Sequence, residues 1–98
     1  MSDKKAKYEV QLAWQVEKII EVAITLGAGL RSGASTGERI ATAFVLNRMD
    51  LLPDCYNDVM DAWDRLDEEW QGYTREVRNK HQDYIEEKIT EITGELPF

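Results

Sequence analysis

The chain has 98 residues, of which 43% are hydrophobic and 32% charged, so one globular domain is expected and whole-chain disorder is not. Nineteen acidic residues against 12 basic ones give a formal net charge of −7, whereas proteins that bind free nucleic acid usually carry the opposite sign. The single cysteine excludes an intramolecular disulfide and favours a reducing, cytoplasmic location.

The first predicted helix begins at a cap on Ser2 or Asp3 and ends at Gly27 and Gly29. Its apolar residues recur every three or four positions, as they do on the buried side of a helix: Leu12, Val16, Ile19, Ala23 and Leu26. The nearly uncharged stretch 22–30 is too short to cross a membrane, and no signal-peptide core follows the N-terminal lysines. No membrane association is therefore expected.

A glycine-rich loop, Gly27–Ser35, separates this helix from the second. Ser35 followed by Glu38 predicts a capping box at the start of the second helix. That helix should end near Asp50, because Pro53 disfavours helical geometry in the residue before it. The loop lacks the preceding strand and the Lys-Ser/Thr pair of a phosphate-binding loop, and its basic neighbours Arg31 and Arg39 are candidate contacts for a partner.

A third helix is predicted from Pro53, which suits a first turn. Its apolar stripe comprises Tyr56, Val59, Met60, Trp63, Leu66 and Trp70. Two alternatives follow: Gly72 ends this helix and Thr74 caps a fourth, or one long helix continues through Gly72 at a cost of about 1 kcal/mol relative to Ala. The last apolar face comprises Tyr84, Ile85, Ile89 and Ile92, with Gly94 and Pro97 ending the helix.

These elements predict an all-α fold, a single helical domain over residues 1–98 built as a small bundle of three to four helices. The last one or two helices are long. Most of the tryptophans are expected in the core, with one or two at a partner or self-association surface, because Trp and Tyr are preferred interface anchors. A homodimer is one of the expected assemblies.

Negative charge is concentrated in the second half of the chain. Residues 1–48 hold seven basic and five acidic residues, a net of +2, whereas residues 49–98 hold five and fourteen, a net of −9. At 100° per residue, five acids fall on one side of the third helix, opposite its apolar stripe: Asp54, Asp58, Asp61, Asp64 and Glu68. With Glu69 they form a candidate partner-binding face, and an ordinary solvated helix face is the alternative.

Candidate catalytic residues are few. His81 is the only histidine and has no Cys or Ser partner nearby in the sequence, so a half-exposed surface position is expected. Cys55 is expected to pack as a small apolar residue. No cofactor is expected.

Carboxylates one turn apart leave a metal-dependent alternative open. They are Glu17 with Glu21, Asp58 with Asp61, and Asp61 with Asp64. Facing pairs of this kind hold Mg²⁺ in all-α nucleotide pyrophosphohydrolases. This sequence has a sparser acidic pattern than those enzymes and no basic cluster placed for phosphates, so a metal site is not the preferred interpretation.

The small size, acidity, all-helical pattern and lack of a catalytic motif resemble those of phage-encoded anti-defence proteins, anti-CRISPR proteins in particular. Residues 35–47, STGERIATAFVLN, are also similar to helical segments of uncharacterised phage and mobile-element proteins. The resemblance implies a non-enzymatic inhibitor in the bacterial cytoplasm that binds a basic nucleic-acid-handling protein or complex, without binding nucleic acid directly. A self-associating phage assembly protein is the alternative.

Overall fold

Five α-helices and a short 3₁₀-helix form the regular structure in a computed structural model, which describes residues 13–56 and 58–94. The helices are α1, Trp14–Gly27; α2, Thr36–Leu46; α3, Val59–Arg65; α4, Glu68–Lys80; and α5, Gln82–Thr93, with the 3₁₀-helix at Met49–Leu51. The described ranges contain no strand, and none of their helices combines the length and apolarity needed to span a bilayer. The predicted all-α bundle is confirmed, with more helices than the three or four expected.

Helix α2 lies at the centre of the fold. It packs against α1, α3, α4 and the 3₁₀-helix, and five of its residues are buried: Ile40, Ala41, Thr42, Ala43 and Val45. The predicted capping box is confirmed, because the Glu38 amide donates to Ser35 Oγ at 3.2 Å and the Ser35 amide donates to Glu38 Oε1 at 3.0 Å. The helix ends earlier than predicted because Asn47 adopts the left-handed conformation, with φ at 55°.

Helix α1 ends at Gly27, as predicted, but this glycine also permits a close helix contact. A Cβ atom at Gly27 would lie 2.5 Å from Ile89 Cδ1, so α5 approaches α1 where α1 has no side chain. Gly29 takes the positive φ of 80° that follows the helix. The predicted caps at Ser2 and Asp3 lie outside the described residues.

Helix α3 begins six residues later than predicted. Pro53 lies in a turn, in which the Tyr56 amide donates to the Pro53 carbonyl at 3.0 Å. The cap is Asp58, whose carboxylate accepts from the Met60 amide at 2.7 Å. An aspartate favours this end position over a helix interior, since its carboxylate competes for backbone amides.

Helical geometry is interrupted between α3 and α4 at Leu66 and Asp67 rather than at Gly72. The Asp67 carboxylate caps α4 by accepting from the Trp70 amide at 2.8 Å. Gly72 is exposed inside α4, so it does not end a helix, but the single long helix predicted to continue through it is interrupted at Leu66 and Asp67. Thr74 is not a cap but a buried residue whose hydroxyl donates to the Trp70 carbonyl at 2.7 Å.

A second break, which the pattern did not predict, separates α4 from α5 at His81. His81 leaves helical geometry with φ at −122° and ψ at 7°. The next side chain, Gln82, donates to the carbonyl of Val45 near the end of α2. This contact connects the start of α5 to the central helix, and Ile85 and Ile89 continue into the core.

Several residues predicted on buried stripes are exposed instead. Val59 and Met60 on α3 and Tyr84 and Ile92 on α5 all lie at the surface. Helix α3 is only seven residues long, and its core-facing side is supplied by Ala62, with Leu66 just beyond it. Cys55 was predicted to pack but is exposed.

Candidate binding surface

The predicted acidic face is divided among a turn and two helices. Asp54 is exposed in the turn after Pro53 and Asp58 caps α3. Asp61 and Asp64 are exposed on α3 itself. Because the chain breaks at Leu66 and Asp67, the expectation that all five acids line one continuous helix is wrong.

Glu68 and Glu69, the last two predicted acids, occupy the first turn of α4 and are exposed. Their negative charge there interacts favourably with the partial positive charge of the helix N-terminus. Stabilising α4 is therefore one role that these two carboxylates have within the chain.

The acids of α3 have no ion-pair partner in residues 13–56 and 58–94. The ion pairs there join Lys18 to Glu21, Arg48 to Asp50 and Lys88 to Glu91, at 3.6, 2.7 and 3.3 Å between charged atoms. None of these involves an acid of α3, where Asp61 and Asp64 also make no side-chain hydrogen bond within the described ranges. Their charge is therefore directed to solvent.

Apolar side chains lie among these carboxylates. Met60 is 61% exposed and Val59 40% exposed, both in the first turn of α3 between Asp58 and Asp61. We call the exposed residues Asp58, Val59, Met60, Asp61 and Asp64 the α3 surface. An exposed apolar centre with a charged rim is the usual composition of a protein-binding site.

A groove adjoins the α3 surface on the side of α4. It has a volume of ≈ 280 Å³ and is lined by Phe44, Met60, Trp63, Thr74, Arg75 and Arg78; we call it the aromatic groove. The rings of Phe44 and Trp63 meet edge to face with centroids 4.9 Å apart. The Arg75 guanidinium lies 5.1 Å from the Trp63 ring centre, a distance at which cation–π attraction operates.

The basic residues of the aromatic groove were missed by the sequence analysis. Arg75 and Arg78 are exposed, three residues apart on α4, and neither is within ion-pair distance of a carboxylate in the described part of the chain. Their spacing next to the buried pair Thr74 and Val77 indicates a common side of the helix. That spacing was the available signal for these two arginines.

A wider groove lies between the first turn of α2 and the α3–α4 junction, where Arg65 and Asp67 line it. Arg31 is exposed in the loop, and Arg39 is half-buried on α2. Neither lines this groove or the aromatic groove. The structure therefore does not bring these two predicted contacts together with the α3 surface.

The tryptophans divide between core and surface. Trp63 and Trp70 are half-buried against the core. Trp14 is 64% exposed at the start of α1, and its ring meets that of Trp70 edge to face at 6.1 Å. Trp14 is thus exposed, and a role for it at a partner or self-association surface stays a prediction.

The candidate metal-ligating residues are dispersed in the described part of the chain. Within the described ranges, no three His, Cys, Asp or Glu side chains gather closely enough to hold a metal ion. Of the predicted carboxylate pairs, Glu17 and Glu21 are both exposed, and Glu21 pairs with Lys18. His81 is half-buried at the α4–α5 break, and its Nε2 is buried without a hydrogen-bond partner among these residues.

Comparison with known proteins assigns this chain to no family. The sequence matches no protein-family model, and no curated protein or solved structure is similar enough to match it. The function proposed below therefore depends on the surface geometry and on the resemblance in type described above.

Proposed function

We propose that this chain is a non-enzymatic binding protein whose α3 surface occupies a basic, nucleic-acid-binding groove of another protein. One observation carries the proposal: exposed carboxylates lie beside the exposed Met60, and no ion pair within the described residues compensates them. The carboxylates attract a basic partner over long range, and the thioether side chain supplies apolar contact area once the surfaces meet.

The spacing of the acids suits a groove that binds phosphates. Asp61 and Asp64 are three residues apart on one helix, which places them about 4.5 Å apart along the helix axis. Each DNA strand carries a phosphate about every 3.4 Å along its axis. The two spacings are of the same order, so lysines and arginines placed for phosphates are placed for these carboxylates as well.

The proposed partner class comes from the resemblance to phage anti-defence proteins. On that basis the target is a nucleic-acid-handling defence complex in the bacterial cytoplasm, and the effect is inhibition by competition for its nucleic-acid site. Raised salt should weaken the complex, because screening reduces attraction between exposed charges.

A capture experiment with matched variants tests the proposal. The wild-type chain and the triple variant Asp58→Asn, Asp61→Asn, Asp64→Asn are immobilised and exposed to bacterial lysate, and bound proteins are quantified by mass spectrometry. Asparagine retains the ability to cap at position 58. The control removes three exposed acids of α5 through Asp83→Asn, Glu86→Gln and Glu87→Gln.

We expect a nucleic-acid-binding protein to be retained by the wild type and the control and lost from the α3 variant. The captured protein is then purified, and its binding to DNA is measured with increasing amounts of the chain. Competition by the wild type supports the proposal. Equal capture by the α3 variant, or binding that leaves DNA association unchanged, contradicts it.

A further inference from the structure

The aromatic groove lies between a basic edge and an acidic edge. Arg75 and Arg78 of α4 form the basic edge. On α3, a helical period of 100° places Trp63 about 60° from Met60 on the groove side and Asp64 about 40° from Met60 on the other side, with Asp61 beyond it. Across the surface from α4 to α3, the arginines therefore come first, the apolar groove second and the carboxylates last.

A strip with opposite charges on its two edges is complementary to itself after a two-fold rotation. We propose that two copies of this chain pair through this strip as a symmetric dimer. Met60 of each copy contacts the aromatic groove of the other near the two-fold axis. Asp61 and Asp64 of each copy face Arg75 and Arg78 of the other.

The groove itself specifies what its occupant must carry. Its floor of Phe44 and Trp63 suits an apolar side chain, and its two arginines, unpaired within the described ranges, suit neighbouring carboxylates. Met60 followed by Asp61 and Asp64 presents this combination on an exposed helix. A second copy thus supplies both the apolar contact and the opposite charges, and it does so at two equivalent places.

This proposal stands without the proposed function, but the two share Asp61 and Asp64. A dimer formed in this way covers part of the α3 surface, so self-association and binding of a basic partner compete. The chain would then expose its acidic surface fully only as a monomer.

Charge reversal and mixing test the dimer. Sedimentation velocity is measured for the wild type, for Asp61→Arg with Asp64→Arg, and for Arg75→Glu with Arg78→Glu. Each reversed variant places like charges across both halves of the interface, and its dimer dissociation constant should rise at least about tenfold. An equimolar mixture of the two variants restores opposite charges at both contacts, so a heterodimer should form.

The mixture is preferred to a salt titration because both copies carry a net charge of −7, and salt screens their overall repulsion together with the local attraction. Circular dichroism checks that each variant keeps its helices. If a double variant unfolds, the two single variants Asp64→Arg and Arg78→Glu are measured separately and as a mixture in its place. The control Glu86→Arg with Glu87→Arg, on α5, should dimerise like the wild type.

Three outcomes overturn the proposal: a wild type that stays monomeric up to about 1 mM, where weak specific complexes already form; a dimer that survives both reversals; or a mixture of folded variants that remains monomeric. The variant with Arg75→Glu and Arg78→Glu retains the α3 carboxylates. Its capture of a basic partner therefore reports on the proposed function separately from the dimer.

Discussion

The side-chain amide of Gln71 donates hydrogen bonds to the carbonyl of Trp63 at 3.0 Å and to that of Leu66 at 3.3 Å. Both carbonyls lie at the end of α3, where no further helical turn follows; that of Trp63 also accepts from the Leu66 amide at 3.1 Å. One side chain on α4 therefore holds the junction of two helices together.

Replacing Gln71 by Ala should lower the free energy of unfolding by about 1 kcal/mol, because the Leu66 carbonyl loses its side-chain donor and the Trp63 carbonyl keeps only the Leu66 amide. Urea denaturation monitored by circular dichroism measures the loss. Asn79 is exposed on the same helix, so the control Asn79→Ala should leave the free energy of unfolding unchanged. Equal stabilities of the two variants would show that the Gln71 contacts do not hold the junction.

The hydrogen bond by which Asp67 caps α4 should contribute a similar amount to the free energy of unfolding. Asp67→Ala removes the acceptor for the Trp70 amide and should cost about 1 kcal/mol, whereas Asp67→Ser should restore most of it. Thermal unfolding of the three proteins provides the measurement. An alanine variant as stable as the serine variant would contradict the assignment of Asp67 as the residue that starts α4.

The close approach of Ile89 to Gly27 predicts that the effect of Gly27→Ala on stability depends on the residue at position 89. In the wild type, Gly27→Ala should destabilise the fold, because its Cβ would lie 2.5 Å from Ile89 Cδ1 in a packed region. In an Ile89→Val background that Cδ1 is gone and the tightest remaining contact of the Cβ is with Cγ1 at 3.3 Å, so Gly27→Ala should cost clearly less than in the wild type. A double-mutant cycle from urea denaturation measures the coupling. Equal effects of Gly27→Ala in both backgrounds would exclude this contact.

Two isoleucines of α5 should respond very differently to truncation. Ile85 is fully buried and Ile92 is 51% exposed. Ile85→Ala should lower the free energy of unfolding by about 2–4 kcal/mol through loss of packing and formation of a cavity. Ile92→Ala should change it by less than about 0.5 kcal/mol. Comparable losses at both positions would mean that α5 packs in a different register.

The stability of the fold should depend on pH at acidic values because Asp50 pairs with Arg48. The Arg48 guanidinium donates hydrogen bonds to both carboxylate oxygens, which lowers the pKa of Asp50 below that of an ordinary aspartate. A lowered folded-state pKa means that the pair stabilises the protein above the unfolded-state pKa. This contribution is lost as the pH falls through the lowered value. NMR titration of Asp50 in the wild type and in Arg48→Gln measures the shift, which should disappear in the variant.

Local signals predicted the parts of this fold that depend on neighbouring residues. The capping box of Ser35 and Glu38 is complete within four residues, and the end of α1 at Gly27 follows from backbone preference. The two helix breaks also involve contacts across longer separations, in addition to the local cap of Asp67 at the first of them. Gln71 reaches back eight residues to Trp63, and Gln82 reaches back 37 residues to Val45.

The candidate surface was predicted in part for a related reason. The acids of α3 were identified from their spacing, but Met60 was assigned to a buried stripe because helical periodicity was counted from Pro53. The actual helix begins after Asp58 and is too short to bury that position. The aromatic groove could not be inferred, because it requires knowing that Phe44 of α2 lies beside Trp63.

Helix α3 meets the core through Ala62 and the adjoining Leu66, while the central helix α2 is surrounded on several sides. The exposed acids Asp61 and Asp64 are therefore distinct from the residues that keep the chain folded. The exposed side chains of Val59, Met60, Asp61 and Asp64 can therefore be replaced without repacking the interior. The sequence of this surface is thus free to diverge while the architecture persists.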